Sequence, residues 1–467
     1  MKRSIFVVVL VLFSLSLSCK KNGSTGPEPD PGPIGLIDSP VPYIIISTSG
    51  VDIPDEPKIN ATMRVIIENI QVFSSDIGIE TRGSTSRRLF DKVSYGFETW
   101  DSNGDDIDVT INGLPEEEDW ILYGPYSDKT FFRNKLAFDL AREIGEYSSR
   151  GFFAELEVND EYQGVYILME KIKRDNNRLD LANLRPEENE GVDLTGGYIL
   201  KIDKTAGDTN NEDWSGDAEY TEDLGFRSDY GAFWTELTYA PYGPKQSEET
   251  YYLYEDPDAT DITPQQKTYI QQYVDGFETA IFNDDFSTAY QNYINLNSFV
   301  DHFLLNELSG NPDAYRLSTY LHKDKEGKLN MGPIWDFNIA FGNDGRSSTD
   351  QWIYLYNDNY PEDLWLIPFY WEKLTQDETF QQAVKARWNE LKNSTFSETS
   401  LHTKIDGYIA ELEAGDAINR NYERWDVLGD ELIFNSFVGE TYQDEIDYLK
   451  GWISDRISWM DQQIQSF

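Results

Sequence analysis

The chain is poor in cysteine, histidine and positive charge. Its single cysteine, Cys19, lies close to the N-terminus, so no disulfide can form within the rest of the chain and the fold must rest on packing. Three histidines, His302, His322 and His402, are scattered along the sequence. No HExxH, cysteine pair or nucleophile elbow occurs, so zinc hydrolysis and serine-esterase chemistry lack their parts. With 39 Lys and Arg against 84 Asp and Glu, the formal charge is −45. Nucleic acid and anionic membrane surfaces are poor partners for such a chain, because phosphates need clustered Lys and Arg. No GxGxxG, Walker sequence or internal repeat is present. After the run from Ile5 to Leu17 there is no long apolar stretch, so no transmembrane helix is expected.

What is present is a core. Hydrophobic residues make up 39% and aromatics 14% of the 467 residues, enough for one large or two to three ordinary domains rather than a disordered chain. Met1-Lys2-Arg3 and the following apolar run form a signal-peptide pattern that ends in LSLSC. It resembles a bacterial lipoprotein cleavage box, which makes Cys19 the lipidated residue and residues 1–19 the leader. Residues 20–35, rich in Gly, Pro and acid, read as a semi-extended tether. Residues 36–202 read mostly as strands, among them Tyr43 to Ser47, Met63 to Ile70, Tyr95 to Trp100 paired with Ile107 to Ile111, and a hairpin from Glu155 to Glu170 turning at Asn159-Asp160. Thr130 to Glu146 has helical spacing within them. Residues 203–263 read as an acidic loop or insertion, since Asp203 to Gly231 shows no hydrophobic period. Residues 264–467 read as helical, with apolar stripes over Pro264 to Phe282, Leu296 to Leu308, Glu378 to Leu391, Ser397 to Leu412 and Gln443 to Ile464.

The most informative stretch runs from Asn306 to Gly342. Asp313 sits in a turn-prone NPD, and Ser318 follows five residues later. A strand-like YLHKD, a turn at KEGK and a second apolar run lead to Asp336 in WDFN. Protein kinases space a catalytic Asp, a metal ligand and a Mg²⁺-binding Asp in a similar way. The chemistry requires one carboxylate to orient the acceptor hydroxyl and another to hold the metal beside the phosphates. Arg82-Gly83-Ser84, after a strand, offers an Arg, a Gly and small hydroxyls, although a plain turn would read the same. Lys92 enters the strand VSYGFE, and Asp139 or Glu143 on the next helix would be its partner. Glu170 and Lys171 end a buried strand at a hinge-like position. Lys201 alternates with Ile199 in GYILKID.

Five blocks then resemble, in order, the spore coat protein H (CotH) kinase-like family: ETRGSTSRRLFDKVSYGFE, DWILYGPYSDKTFFRNKLAFDLAREIG, ELEVNDEYQGVYILMEKIKRDNNRLDL, GGYILKIDK and the stretch from Asp313 to Gly342. The resemblance covers roughly Val41 to Gly342. It implies an α+β, two-lobed atypical protein-kinase-like fold, with a strand-rich N-terminal lobe and a helix-rich C-terminal lobe. It also implies ATP with Mg²⁺ or Mn²⁺ as cofactors. Asp313 would be the base, and Asp336, Ser318 and Asn338 the metal ligands. Arg82, Gly83, Ser84, Lys92, Glu170, Lys171 and Lys201 would line the nucleotide site. Ser318 stands where kinases place Asn, and Asn338 where many relatives carry Asp; both are weaker ligands. The expectation is a lipid-anchored bacterial cell-envelope protein, on the periplasmic or surface side. It would phosphorylate Ser or Thr of a basic or Ser-rich protein substrate, touching membrane through its lipid alone and binding no nucleic acid. Some relatives are adhesins, so a non-catalytic surface adhesin or pseudokinase is the alternative. Sugar stacking by the 12 Trp and 29 Tyr is a third class, which core packing explains more simply.

Overall fold

The structure is a computed structural model that describes residues 39–205, 219–283 and 289–467. The expected leader, tether and lipidated Cys19 lie outside the described residues. Strands dominate the N-terminal part and helices the C-terminal part, as the sequence leads one to expect.

The first strands follow the two-residue period of a pleat. In β2 (Ile59–Ile67), Ala61, Met63 and Val65 are buried while Asn60, Thr62 and Arg64 are exposed. With β1 (Tyr43–Ser47), β3 (Ile70–Arg82), β4 (Ser94–Trp100), β5 (Asp119–Tyr123), β6 (Gly151–Val158) and β7 (Glu161–Glu170) it forms a closed barrel in the order β1-β2-β3-β4-β5-β7-β6. A parallel pairing of β1 with β6 closes it. Ile44, Met63, Ile77, Phe97, Trp120 and Leu168 fill the interior. Gly78 is required there, because a Cβ would lie 2.0 Å from the Trp100 ring.

Two local readings change. Met63 to Ile70 is not one strand. The chain turns at Glu68 and Asn69, both left-handed with φ of 48° and 63°, which makes a two-residue hairpin loop. The arm expected over Ile107 to Ile111 forms only the isolated bridges Trp100–Asp106 and Val109–Glu117. The hairpin from Glu155 to Glu170 forms with its turn at Asn159-Asp160.

Between β3 and β4 lies the short α1 (Thr85–Leu89), and between β5 and β6 lies α2 (Arg133–Glu143). The latter starts later than its apolar spacing suggests. The Asp128 carboxylate accepts the backbone N–H groups of Thr130 and Arg133, and so caps the first turn from outside.

A second sheet follows the barrel. In chain order come β8 (Tyr198–Ile202), β9 (Gly225–Arg227), the small pair β10 (Tyr230–Gly231) and β11 (Thr235–Glu236), β12 (Tyr251–Asp256), β13 (Thr319–Lys323) and β14 (Leu329–Met331). The sheet order is β14-β13-β8-β12-β9. The segment 203–263, expected to be an insertion, therefore carries four strands, two of them in this sheet. Its acidic composition hides buried Phe226 and a buried Arg227–Glu249 ion pair at 2.9 Å.

Helices α3 (Pro264–Phe282), α4 (Leu296–Ser309), α5 (Tyr356–Asn359), α6 (Tyr370–Leu374), α7 (Glu378–Leu391), α8 (Glu398–Ala414), α9 (Ala417–Arg424) and α10 (Tyr442–Gln465) complete the chain. The longer ones begin where capping residues dictate. Thr263 with Gln266 and Thr441 with Asp444 make reciprocal capping boxes, while Asp377 and Ser397 each accept one backbone N–H. Their apolar stripes share one core with α2 and with one face of the second sheet, through Tyr198, Leu200 and Ile202.

Candidate functional site

The other face of the second sheet carries Ile199, Lys201 and Tyr320, because residues two apart on a strand share a face and Tyr320 lies opposite Lys201. Thr319 pairs with Ile202, which sets Ser318 across from Asp203. The Ser318 hydroxyl donates to Asp203 Oδ2 at 3.4 Å, and the Lys204 N–H donates to Asp203 Oδ1 at 2.9 Å. Ser318 is left-handed, with φ of 46°.

Asp336 follows β14 and is also left-handed, at φ 64°. Non-glycine residues in this region carry strain and concentrate at functional sites. Its backbone is held from both sides. Asn134 of α2 accepts the Phe337 N–H at 2.6 Å, and the Asn311 amide donates to the Asp336 carbonyl at 3.5 Å. The Asp336 carboxylate makes no hydrogen bond or ion pair among the described residues. Burial first, and then the charges of Asp313 and Asp203, push its pKa up to about 7; Lys204 and Arg82 oppose the rise. Asp203 is raised as well, by burial, against the pull of Lys201 and Lys204.

Asp313 is fixed differently. Its N–H donates to Asn311 Oδ1 at 3.1 Å, and its carboxylate accepts from Arg316 Nη2 at 2.7 Å. Arg316 is itself buried, lies over the Tyr356 ring at 4.2 Å and pairs with Asp363 at 3.3 Å. The base candidate is thus clamped in one orientation.

On the barrel side, Arg82 ends β3 with its guanidinium 5.6 Å above the Trp335 ring, which stacks on Phe138 of α2. Gly83 has φ of 104°, a conformation that favours glycine. Ser84 precedes α1, and its buried hydroxyl has no partner. Lys204 donates to the Thr85 hydroxyl at 3.0 Å and ties this turn to the carboxylates. Lys201 pairs with Glu255 at 3.3 Å. Burial pulls its pKa down, but Tyr320, Glu255 and Asp203 outweigh it and hold the ammonium above the usual lysine range.

The structure thus ties the turn after Arg82, Gly83 and Ser84 through Lys204 to Asp203 and Ser318, sets Lys201 on the sheet face that carries Tyr320, and leaves Asp336 near enough to Asp313, Asp203, Lys204 and Arg82 to feel their charges. Asn338 follows two residues after Asp336 and is half-buried, with its carbonyl accepting the Asn343 amide at 2.8 Å. Three expected residues are occupied elsewhere. Lys92 is buried and donates to the Val165 carbonyl at 2.6 Å and to Asn421 of α9 at 2.9 Å. Burial holds its pKa well below the lysine norm. Neither helix carboxylate meets it: Asp139 binds Lys135, Arg142 and Tyr408, and Glu143 binds Lys404. Glu170 accepts from the backbone N–H and Nε of Arg150, each at 2.9 Å, and Lys171 pairs with Asp119 at 3.1 Å. Lys92→Met should therefore leave any stabilisation by ATP unchanged. It should lower the intrinsic stability by about 1–3 kcal/mol, the cost of stranding its two acceptors. Thermal unfolding with and without nucleotide separates the two effects.

Asp203, Lys204, Arg316 and Trp335 were not singled out from the sequence. The signal for Asp203 was there, since it has the same parity as Ile199 and Lys201 on β8. Asp108, Glu117 and Glu118 offer a separate group of carboxylate oxygens within 4.8 Å of one another. Lys173 pairs with Glu117 at 2.7 Å and also with Glu118, so that cluster already has its counter-charge.

The sequence of this chain is similar to known proteins. Residues 79–460 match the CotH kinase protein family, a span that runs beyond the resembling blocks through most of α10. The inner spore coat protein H of Bacillus subtilis (strain 168) is 31% identical over 121 residues, which is 26% of this chain and 29% of that protein. The alignment thus spans under a third of that relative's length. On the extent of the family match, the chain belongs to the CotH kinase protein family.

Proposed function

We propose that the protein is an atypical ATP-dependent protein kinase acting on Ser or Thr hydroxyls. The observation that carries this reading is the grouping of charges: among the described residues the Asp336 carboxylate has no hydrogen-bond or ion-pair partner, Asp313 is clamped by Arg316, and the charges of Arg82 and Lys204 act on Asp336. Mg²⁺ is commonly held by one or two carboxylates plus substrate phosphates and waters, and the donor set here fits that pattern. A bound cation would neutralise charge on the phosphates. Arg82 and Lys204 take the role expected of Lys92, binding and orienting the phosphate oxygens. Asp313 accepts the proton of the acceptor hydroxyl as its oxygen bonds to the γ-phosphorus. The bond from that phosphorus to the bridging oxygen breaks, and ADP leaves. Most of the rate gain would come from positioning and fixed charge.

The name of the spore coat relative suggests that this chain, too, works at a cell envelope or surface. Lipidation at Cys19 would attach it there. Among the described residues no helix is long and apolar enough to cross a membrane.

The test is thermal unfolding with ATP and Mg²⁺ or Mn²⁺, followed by phosphate labelling of itself and of basic proteins. A hundredfold excess of ATP over its Kd should stabilise the fold by about 2.7 kcal/mol. No shift and no labelling under either metal would replace this reading by the non-catalytic surface protein.

A further inference from the structure

Asp313 is held by an arginine whose other donors are already engaged. Arg316 is buried, and its Nε donates to the Pro312 carbonyl at 2.9 Å. Its Nη1 donates to the Trp365 carbonyl at 3.0 Å and to Asp363 Oδ2 at 3.3 Å. The Tyr356 ring lies 4.2 Å from the guanidinium carbon and covers one face of it. Nη2 is left for Asp313, and it meets Oδ1 at 2.7 Å. An arginine binds both oxygens of a carboxylate by presenting two neighbouring N–H groups side by side. Here Nε and Nη1, the two neighbours Nη2 could use, point to other acceptors, so that fork is closed off. Asp313 Oδ2 makes no hydrogen bond among the described residues.

Asp363 stands behind this arrangement, on the segment between α5 and α6. Its Oδ2 accepts from Arg316 and, at 2.6 Å, from the Tyr356 hydroxyl, while its Oδ1 accepts the Trp365 N–H at 3.0 Å. One carboxylate therefore accepts from Nη1 directly, steadies a second acceptor through the Trp365 backbone, and holds the ring beneath the guanidinium. Arg346, which can only donate, gives Nη1–H to the Tyr356 oxygen at 3.2 Å, so the Tyr356 proton is turned to Asp363. Burial would raise the pKa of Asp363, yet the Arg316 charge and the Tyr356 bond outweigh it and hold the carboxyl below its usual range.

We propose that Asp363 is a positioning residue for the base: it keeps Arg316 from closing on both oxygens of Asp313 and so leaves Oδ2 open to the acceptor hydroxyl. The assignment rests on the kinase reading, in which Asp313 takes the proton of that hydroxyl. Arg316 then orients the base without blocking it.

The experiment follows transfer from labelled ATP to the full chain itself and to mixed histones, reading kcat and the KM for ATP separately. Asp363→Ala should lower kcat by about ten- to a hundredfold, the scale of a misplaced reacting group, and leave the KM for ATP unchanged. Asp363→Asn, nearly isosteric, should fold even where the alanine variant does not, and show the same split in smaller measure. Arg316→Gln should also lower kcat, but adding Asp363→Ala to it should cost nothing more, because the arginine that Asp363 restrains is gone. A merely structural role would give additive losses. Unchanged kcat in the folded variants, an equal loss of ATP binding, or additivity in the double variant overturns the assignment and leaves the kinase reading standing. Wild-type protein that transfers no phosphate under Mg²⁺ or Mn²⁺ removes both.

Discussion

Asp336→Ala should abolish the stabilisation of the protein by ATP with Mg²⁺, whereas Asp313→Asn should keep it and lose phosphoryl transfer. On the proposed reading the two carboxylates, close enough for the charge of one to act on the other, do different work. Among the described residues the Asp336 carboxylate has no hydrogen-bond or ion-pair partner, so on the proposed reading a cation with its phosphates would supply further counter-charge. Asp313 is already satisfied by Arg316, and Asn at this position still accepts that hydrogen bond, so the turn should survive the change. Loss of a general base typically costs about 10²–10⁴-fold in rate. Thermal shift reads the first effect and labelling the second. Equal loss of nucleotide binding in both variants would contradict the division of roles.

Asp336→Ala should also raise the stability of the unliganded protein. The folded pKa of Asp336 is pushed up to about 7, above the unfolded value of about 3.9. The ionised carboxylate therefore costs stability, with no cost at low pH and the full cost above about 7. The gain of the variant over its parent should grow between those limits. Function traded against stability has this signature.

The second large effect concerns Glu307 and Arg456, which pair at 3.1 Å with both side chains wholly buried. Glu307 of α4 also accepts the N–H groups of Ile353 and Tyr354 and the Tyr315 hydroxyl. Arg456 of α10 donates to the carbonyls of Glu307, Ser348, Thr349 and Gln351. The pair thus staples the segment after Asp336 to two core helices. Glu307→Ala leaves a buried guanidinium without its counter-charge and three donors unmatched, and should cost about 3–5 kcal/mol. Against total stabilities of about 5–15 kcal/mol this is a large fraction. Denaturant unfolding should show a lower midpoint with an unchanged slope. The double replacement Glu307→Leu with Arg456→Met should cost less than the sum of the singles.

The longer C-terminal helices were legible in the sequence because each carries its own evidence, an apolar stripe and a capping residue at its start. Pro264–Phe282 and Glu378–Leu391 coincide with their spacing. That Asp313 and Asp336 would stand near each other was legible for a similar reason, since the two flank one hairpin, β13 and β14. Relations between distant residues were not. The barrel closes by a pairing of Tyr43 with Glu155, and no local pattern announces it. A lysine entering a strand looks the same whether it faces a cleft or a helix, and Lys92 meets Asn421 on α9, a helix that no stripe had marked. Asp203 fell at the boundary between a strand and an acidic run, where composition outweighed parity.

Closure of the barrel also limits how another chain can be held. A partner that binds by strand addition needs an exposed ladder of N–H and C=O groups. The barrel has no free edge to offer. Among the described residues the second sheet ends in β9 and β14, each of three residues, and the remaining sheet has two strands of two residues. Such short edges give an extended peptide few backbone bonds. On the proposed kinase reading, an acceptor segment would have to be read through its side chains, so the sequence around the modified hydroxyl, more than its tendency to extend, would decide what is taken.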